Sequence, residues 1–202
     1  YQFYDGLPVV RCWNTVENRS KEALGLEIVS SFVVPRVAEL DDDATLLIPH
    51  NSWQQELQWK ENSLSQLGSN YFVHNTSSSK RIQIRSIGSW SSGEYAPMAC
   101  LRNRSDSTMT FWQIEHNGSW NWELLEHGSK YQLVVTGPND TDHQWYKHLQ
   151  PGESFTSVPA AVGMVIGGED EAFSVLNQYR RRIRRPNRDN ENLPIIFNDY
   201  MN

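Results

Sequence analysis

An Asn-Gly pair between two aromatic runs constrains this chain more than any other feature. Residues 110–125 read TFWQIEHNGSWNWELL, with Asn117-Gly118 at the centre. Asn and Gly both tolerate positive φ, which a two-residue type I′ hairpin loop demands at both central positions. The reading predicts His116 opposite Ser119, Glu115 opposite Trp120, Ile114 opposite Asn121 and Gln113 opposite Trp122. Side chains alternate along a strand. One face of the hairpin would then carry Phe111, Gln113, Glu115, Trp120, Trp122 and Leu124, and the other Trp112, Ile114, His116, Asn121 and Glu123. Both faces mix large aromatics with polar groups. Two arrangements produce that mixture: a strand pair with one wet, chemically active face, or a Trp-rich sandwich core with a polar rim.

The rest of the chain continues in the same manner. Residues 7–13, 24–34, 45–48, 71–74 and 81–87 are β-branched and aromatic runs bounded by Asn, Ser, Gly and Asp clusters. Residues 97–101, 108–116, 119–125, 131–136, 144–149, 153–158 and 160–166 extend the series. Gly137-Pro138-Asn139-Asp140 and Gln150-Pro151-Gly152 are turn chemistry. A dozen strands with no helical period between them predict an all-β sandwich of large sheets.

At Gly167-Gly168 the period changes. Ala172, Val175, Leu176, Tyr179 and Ile183 fall at helical spacing. Glu169, Asp170 and Glu171 lead this segment and Arg residues close it, matching both ends of a helix dipole. Pro186 stops it. After a connector, residues 193–197 form a short apolar run followed by Asn198, Asp199, Tyr200, Met201 and Asn202. A buried strand whose C-terminal end opens on a site has this form, as does the first strand of a (β/α)₈ barrel. The expected organisation is a β domain over residues 1–168, a linker helix and connector over 169–192, and the opening of a second domain over 193–202.

Composition narrows the function classes. Hydrophobic residues make up 38% and charged residues 21%, as in a globular chain. No apolar run approaches the ~20 residues of a membrane span, so no membrane partner is expected. The N-terminus lacks a basic segment followed by an apolar one, so no signal peptide is expected. Residues 1–179 hold 12 Lys and Arg against 21 Asp and Glu, while residues 180–202 hold 6 Arg against 3 acids. An acidic body argues against nucleic acid as a partner. The Arg cluster 180–188 reads as a helix C-terminus docking on an acidic neighbour. Cys12 and Cys100 are read as free, buried thiols in a reducing, cytoplasmic compartment. Asn18, Asn75, Asn103, Asn117 and Asn139 begin N-x-S/T triplets, which become glycan acceptors only in a secretory pathway. His74, His127, His143 and His148 lack metal-ligand spacing.

Four stretches together resemble one family: IPHNSW at 48–53, GSWSSG at 88–93, WQIEHNGSW at 112–120 and LPIIFNDYMN at 193–202. The chain is similar through most of its length, from about Leu7, to the N-terminal region of α-galactosidases of glycoside hydrolase family thirty-six. The resemblance implies a galactose-mutarotase-like β-supersandwich leading by a helix into a catalytic (β/α)₈ barrel. It also implies removal of terminal α-galactose from oligosaccharides with retention of configuration, without metal or cofactor, by a protein that forms homo-oligomers. Retaining hydrolysis requires two carboxylates about 5 Å apart. In this family both lie on later barrel strands, so the resemblance places neither within these residues. Asp41-Asp42-Asp43 and Glu169-Asp170-Glu171 are accordingly read as a solvated turn and a helix start.

The residues that the resemblance assigns to sugar are few. Many family members carry Asn, a polar residue and Trp at the end of the first barrel strand, and the matching positions are Asn198, Asp199 and Tyr200. Tyr in place of Trp keeps an aromatic face, and Asp199 accepts hydroxyl hydrogen bonds. His50-Asn51-Ser52-Trp53 resembles a Trp-bearing loop that reaches over the barrel mouth. Trp53 would stack on a sugar ring while His50, Asn51 and Glu56 hydrogen-bond. The competing reading packs Trp53 and Trp59 on the sandwich edge. Trp90, Glu115, Trp120 and Trp122 lean towards core or interface. Two other functions stand beside the hydrolase domain: a free-standing carbohydrate-binding module, and an oligomerisation domain that buries its aromatic surface against another subunit.

Overall fold

The computed structural model describes residues 1–39, 43–69 and 80–197. Its strands are β1 (Gln2–Tyr4), β2 (Leu7–Cys12), β3 (Thr15–Glu17), β4 (Leu24–Leu26), β5 (Ser30–Glu39), β6 (Ala44–Ser52), β7 (Gln55–Ser63), β8 (Arg81–Ser86), β9 (Met98–Asn103), β10 (Thr108–Ile114), β11 (Trp120–His127), β12 (Lys130–Thr136), β13 (Lys147–Leu149), β14 (Ser154–Thr156) and β15 (Ala160–Ile166). The helices are α1 (Asp140–His143), α2 (Glu169–Ile183) and α3 (Arg188–Asn192). A seven-stranded sheet has the order β1-β2-β15-β10-β9-β6-β7, and a four-stranded sheet the order β5-β12-β11-β8. Two small pairs, β13-β4 and β14-β3, complete the described sheets, and the ladders are antiparallel. The described part of the chain is thus an all-β domain with one long helix.

Strand alternation divides the apolar residues between two cores. On β10, Trp112 and Ile114 face the four-stranded sheet, where Trp120, Trp122 and Leu124 of β11 and Tyr131, Leu133 and Val135 of β12 meet them. Met109 and Phe111 face the other way and join a second core with Ala172, Leu176 and Tyr179 of α2. The large sheet is therefore the middle layer, with the small sheet on one face and α2 on the other. Trp112 and Trp122 lie edge-to-face across the sandwich, centroids 5.2 Å apart at 80°, a geometry aromatic quadrupoles favour.

The pairing expected across Asn117-Gly118 does not form. β10 pairs with β9 and β15, and β11 with β8 and β12, so the segment between them crosses from one sheet to the other. Neither Asn117 nor Gly118 takes positive φ. A Cβ at Gly118 would lie 2.7 Å from His116 Nε2, so a larger residue there would need the imidazole to turn aside. Burial explains the outcome. A hairpin would place Trp112 and Trp122 on opposite faces, whereas the sandwich turns both aromatic stripes into one core. A two-residue hairpin loop does occur at Gly128-Ser129, with His127 paired to Lys130 and Gly128 at φ 63°. Positive φ at the first central position alone is the type II′ requirement.

Smaller departures have local causes. The run 24–34 divides into β4 and β5, which join different sheets. Gly137–Asp140 is less a turn than a helix start: Asn139 Oδ1 accepts the Asp142 N–H at 2.7 Å and caps α1. β7 is too polar to show as a strand in the sequence, because it is an edge strand lined by charge. The expected strand at 71–74 and Asp41-Asp42 lie outside the described residues.

Helix α2 follows its sequence signals closely. Glu171 Oε2 accepts the Gly168 N–H at 2.8 Å, and Glu169 pairs with Arg102 of β9. Arg180 near its C-terminal end donates through Nε to Gln113 Oε1 at 3.0 Å. Under the helix, Glu115 accepts from Arg11 Nε at 2.8 Å and Nη2 at 2.7 Å, and from the Tyr179 hydroxyl. Burial, reinforced by that bond to the Glu115 carboxylate, pushes the Tyr179 phenol well above its ordinary range.

Cys12 and Cys100 are buried free thiols, and burial pushes Cys100 up to about 12. Asn18, Asn103 and Asn139 are also buried. Asn18 donates to Glu22 O at 2.8 Å and Leu149 O at 2.9 Å, so its amide is occupied within the fold. Among the described residues no helix is long and apolar enough to cross a membrane.

Candidate functional site

The hairpin β6–β7 presents the most exposed tryptophan on the described surface. β6 begins as a continuous buried run from Ala44 to Pro49, sandwiched between β7 and β9. Pro49 lies beyond the last β6–β9 pair, Leu47 with Cys100, so its missing N–H interrupts no ladder bond there. Its carbonyl accepts from Ala96 N at 3.0 Å. Past Pro49 the strand leaves the core and turns at Trp53-Gln54, with Ser52 paired to Gln55. Trp53 is 72% exposed.

Asn51 holds this turn in place. The ladder register shifts between His50 and Ser52, which releases Asn51 from strand pairing. Its backbone N–H donates to Glu94 O at 2.7 Å and its Nδ2 to Ser92 O at 2.8 Å. Its Oδ1 accepts the Leu57 N–H at 2.7 Å. One amide therefore ties the hairpin to the loop 87–95 and closes the turn. Gln54 and Leu57 both take positive φ, 62° and 54°. Such a conformation costs a non-glycine residue of order 1–3 kcal/mol and persists where surrounding bonds impose it.

His50 is half-buried against Tyr95, with ring centroids 5.0 Å apart and a backbone bridge between the two residues. The structure thus brings His50, Asn51 and Trp53 onto one hairpin. The side chains of His50 and Asn51 are engaged with the neighbouring loop, while that of Trp53 projects. Asp199 and Tyr200 lie outside the described residues. Glu56 is exposed on β7, and Trp59 packs on Phe173 of α2, centroids 5.0 Å apart.

The remaining candidates have structural partners. Trp120 and Trp122 are fully buried in the sandwich core, and Glu115 is held by Arg11 and Tyr179. Of the acidic cluster 169–171, Glu169 pairs with Arg102 and Glu171 closes the helix end. His143 is fixed as the neutral tautomer: its Nδ1 accepts the Asn139 N–H at 3.1 Å while its Nε2 lies 3.1 Å from Ser86 O. Among the described residues no group of three or more His, Cys, Asp or Glu is placed to hold a metal ion. The run 193–197 forms no strand, and Leu193, Ile195, Ile196 and Phe197 are each at least 77% exposed.

No protein-family model matches the sequence, and no curated protein matches it. The fold, however, is similar to part of several solved α-galactosidases. The GH36 α-galactosidase AgaA of Geobacillus stearothermophilus, in a structure with stachyose, aligns with a TM-score of 0.71 at 18% identity over 91% of this chain and 25% of that one. The α-galactosidase of Lactobacillus brevis aligns with a TM-score of 0.70 at 15% identity, covering 87% of this chain and 22% of that one. The galactosidase domain of the α-galactosidase-sucrose kinase AgaSK gives a TM-score of 0.66 at 15% identity over 85% and 21%. The chain therefore spans between a fifth and a quarter of the length of the structures it resembles.

Proposed function

We propose that this chain is the N-terminal domain of a retaining α-galactosidase that hydrolyses terminal α-D-galactosyl residues of oligosaccharides. Residues 1–168 would form its β-supersandwich, 169–192 the linker, and 193–202 the start of the catalytic barrel. The observation that carries the reading is the match of nearly the whole described fold to about a fifth of several α-galactosidases. The exposed apolar run 193–197 supports it, since a first barrel strand needs neighbours on both sides to cover such residues.

In this reading the two catalytic carboxylates belong to the barrel. The β domain contributes Trp53, whose ring stacks on the apolar C–H face of a galactoside. His50 and Asn51 lie just before the turn at Trp53, and Asp199 and Tyr200 reach the sugar from the barrel side. The enzyme works without metal or cofactor, in the cytoplasm, as a homo-oligomer. The test is hydrolysis of p-nitrophenyl α-D-galactopyranoside and raffinose by the product of the complete reading frame containing this chain. Activity is expected there and not in the 202-residue chain alone. Trp53→Ala should lower kcat/KM by about tenfold, equivalent to ~1.4 kcal/mol of lost sugar contact. Absence of α-galactosidase activity from the complete protein would overturn the assignment.

A further inference from the structure

A concave site separate from the projecting Trp53 turn lies at the edge of the four-stranded sheet, on the loop 87–95. It encloses about 420 Å³ and is lined by Arg85, Ser86, Ile87, Trp90, Gly93 and Glu94. That volume falls within the ~300–1,000 Å³ of small-molecule sites. Trp90 is 59% exposed, yet its position is closely determined. A Cβ added to Gly93 would meet the Trp90 ring at 3.3 Å, so the glycine backbone supports the indole. The Trp90 carbonyl accepts from Ser86 Oγ at 3.1 Å and Gly93 N at 3.2 Å. The neighbouring Ser91 carbonyl accepts from the buried Trp120 Nε1 at 2.7 Å. Gly88, at φ 87°, donates to Ser119 Oγ at 2.9 Å. The loop is thus fastened at both ends and in the middle, with its indole left partly open.

The charged groups of the pocket are also arranged. Arg85 is oriented by Asp142, whose carboxylate further accepts from Asn139 Nδ2 at 3.0 Å and Gln83 Nε2 at 2.8 Å. Only one guanidinium nitrogen of Arg85 is engaged in that pair, which leaves donors for a ligand. Glu94 is exposed at the rim and supplies an acceptor. An aromatic platform with a cationic donor and an anionic acceptor matches a pyranose, whose C–H face is apolar and whose hydroxyls both donate and accept.

We propose that this pocket is a saccharide-binding site in its own right, taking a short hexopyranoside through stacking on Trp90 and hydrogen bonds to Arg85 and Glu94. It uses none of the residues assigned above to hydrolysis and would hold oligosaccharide on the β domain itself. Bonds to Ser86, Ser119 and Trp120 already order the loop, and preformed geometry lowers the ordering cost of binding.

The test is isothermal titration calorimetry of the 202-residue chain with methyl α-D-galactopyranoside and with raffinose, backed by amide chemical shifts. Saturable binding of at least one saccharide is expected. Trp90→Ala should weaken it at least tenfold, Trp90→Phe should retain most of it, and Glu94→Gln should weaken it several-fold. Both positions are exposed, so far-ultraviolet dichroism should be unchanged. Trp53→Ala should leave this binding intact, which separates the outcome from that of the hydrolase reading. No binding of either saccharide, binding unaffected by both Trp90→Ala and Glu94→Gln, or binding lost only in Trp53→Ala would each overturn the proposal.

Discussion

Replacing Glu115 with Ala should detach α2 from the sheet more effectively than any change on the surface of the helix. Glu115 follows β10, its side chain only 13% exposed, and accepts from Arg11 Nε and Nη2 and from the Tyr179 hydroxyl. Gln113 Nε2 lies 3.3 Å away. Truncation leaves the Arg11 charge and a fully buried phenol without their acceptor. Breaking a buried ion pair from one side costs about 3–5 kcal/mol, because the surviving charge stays desolvated. The Arg11 side chain retains 28% exposure, so water recovers part of that loss and the cost falls to about 2–3 kcal/mol. For a domain of this size each kcal/mol moves Tm by about 2–4 °C, which gives a fall of roughly 4–12 °C.

Differential scanning calorimetry reads the shift, and amide exchange along α2 shows whether the helix loosens first. Glu115→Gln keeps an acceptor for Tyr179 and should cost less than Glu115→Ala. In a double-mutant cycle, Arg11→Ala and Glu115→Ala should couple by about 0.5–3 kcal/mol, as contacting residues do. A Glu115→Ala protein melting within about 1 °C of the parent, or an uncoupled cycle, would refute the claim that this carboxylate fastens the helix.

Two further outcomes are expected. Gly163→Ala should destabilise by about 1–3 kcal/mol through overpacking, because the new Cβ would meet Phe111 Cζ at 2.3 Å and Pro8 O at 2.6 Å; an unchanged or raised Tm would refute that packing. Burial above all, with the nearby Arg85 charge, holds His143 below the ordinary histidine range, and burial does the same to His116. The unfolded chain therefore takes up protons first, so stability should be full above about pH 6.5 and decline as pH falls from there towards the folded-state values. Tm measured from pH 7.5 to 5 should show the decline and His143→Gln should flatten it; a Tm independent of pH over that range would contradict the neutral tautomer.

Much of this fold could be read from one-dimensional pattern. Helix α2 shows in the spacing of Ala172, Leu176 and Tyr179 and in its terminal charges, both local properties of a 3.6-residue period. The alternation within β10 and β11 was legible for the same reason, and it correctly separated Trp112 from Phe111 and Trp122 from Glu123. Polar β7 escaped notice because an edge strand contributes few apolar residues to its period. At the site, the sequence left an exposed and a packed Trp53 both open, since nothing in the IPHNSW motif reveals that a register shift frees Asn51 to bond Ser92, Glu94 and Leu57.

The sequence by itself determined which residues alternate, where the helix begins and ends, and that the domain is built from β-strands. Only the tertiary structure decided which strands pair. Asn117-Gly118 is locally suited to a hairpin, but that preference is worth little beside the burial of two tryptophan stripes in a shared core. Pairing across a sheet depends on what covers each face, and coverage is settled by segments distant in the chain. Arg85, Trp90, Gly93 and Glu94 are close in the chain, but the shape of their loop is fixed by bonds to Asn51, Ser119 and Trp120, which lie far from it in sequence.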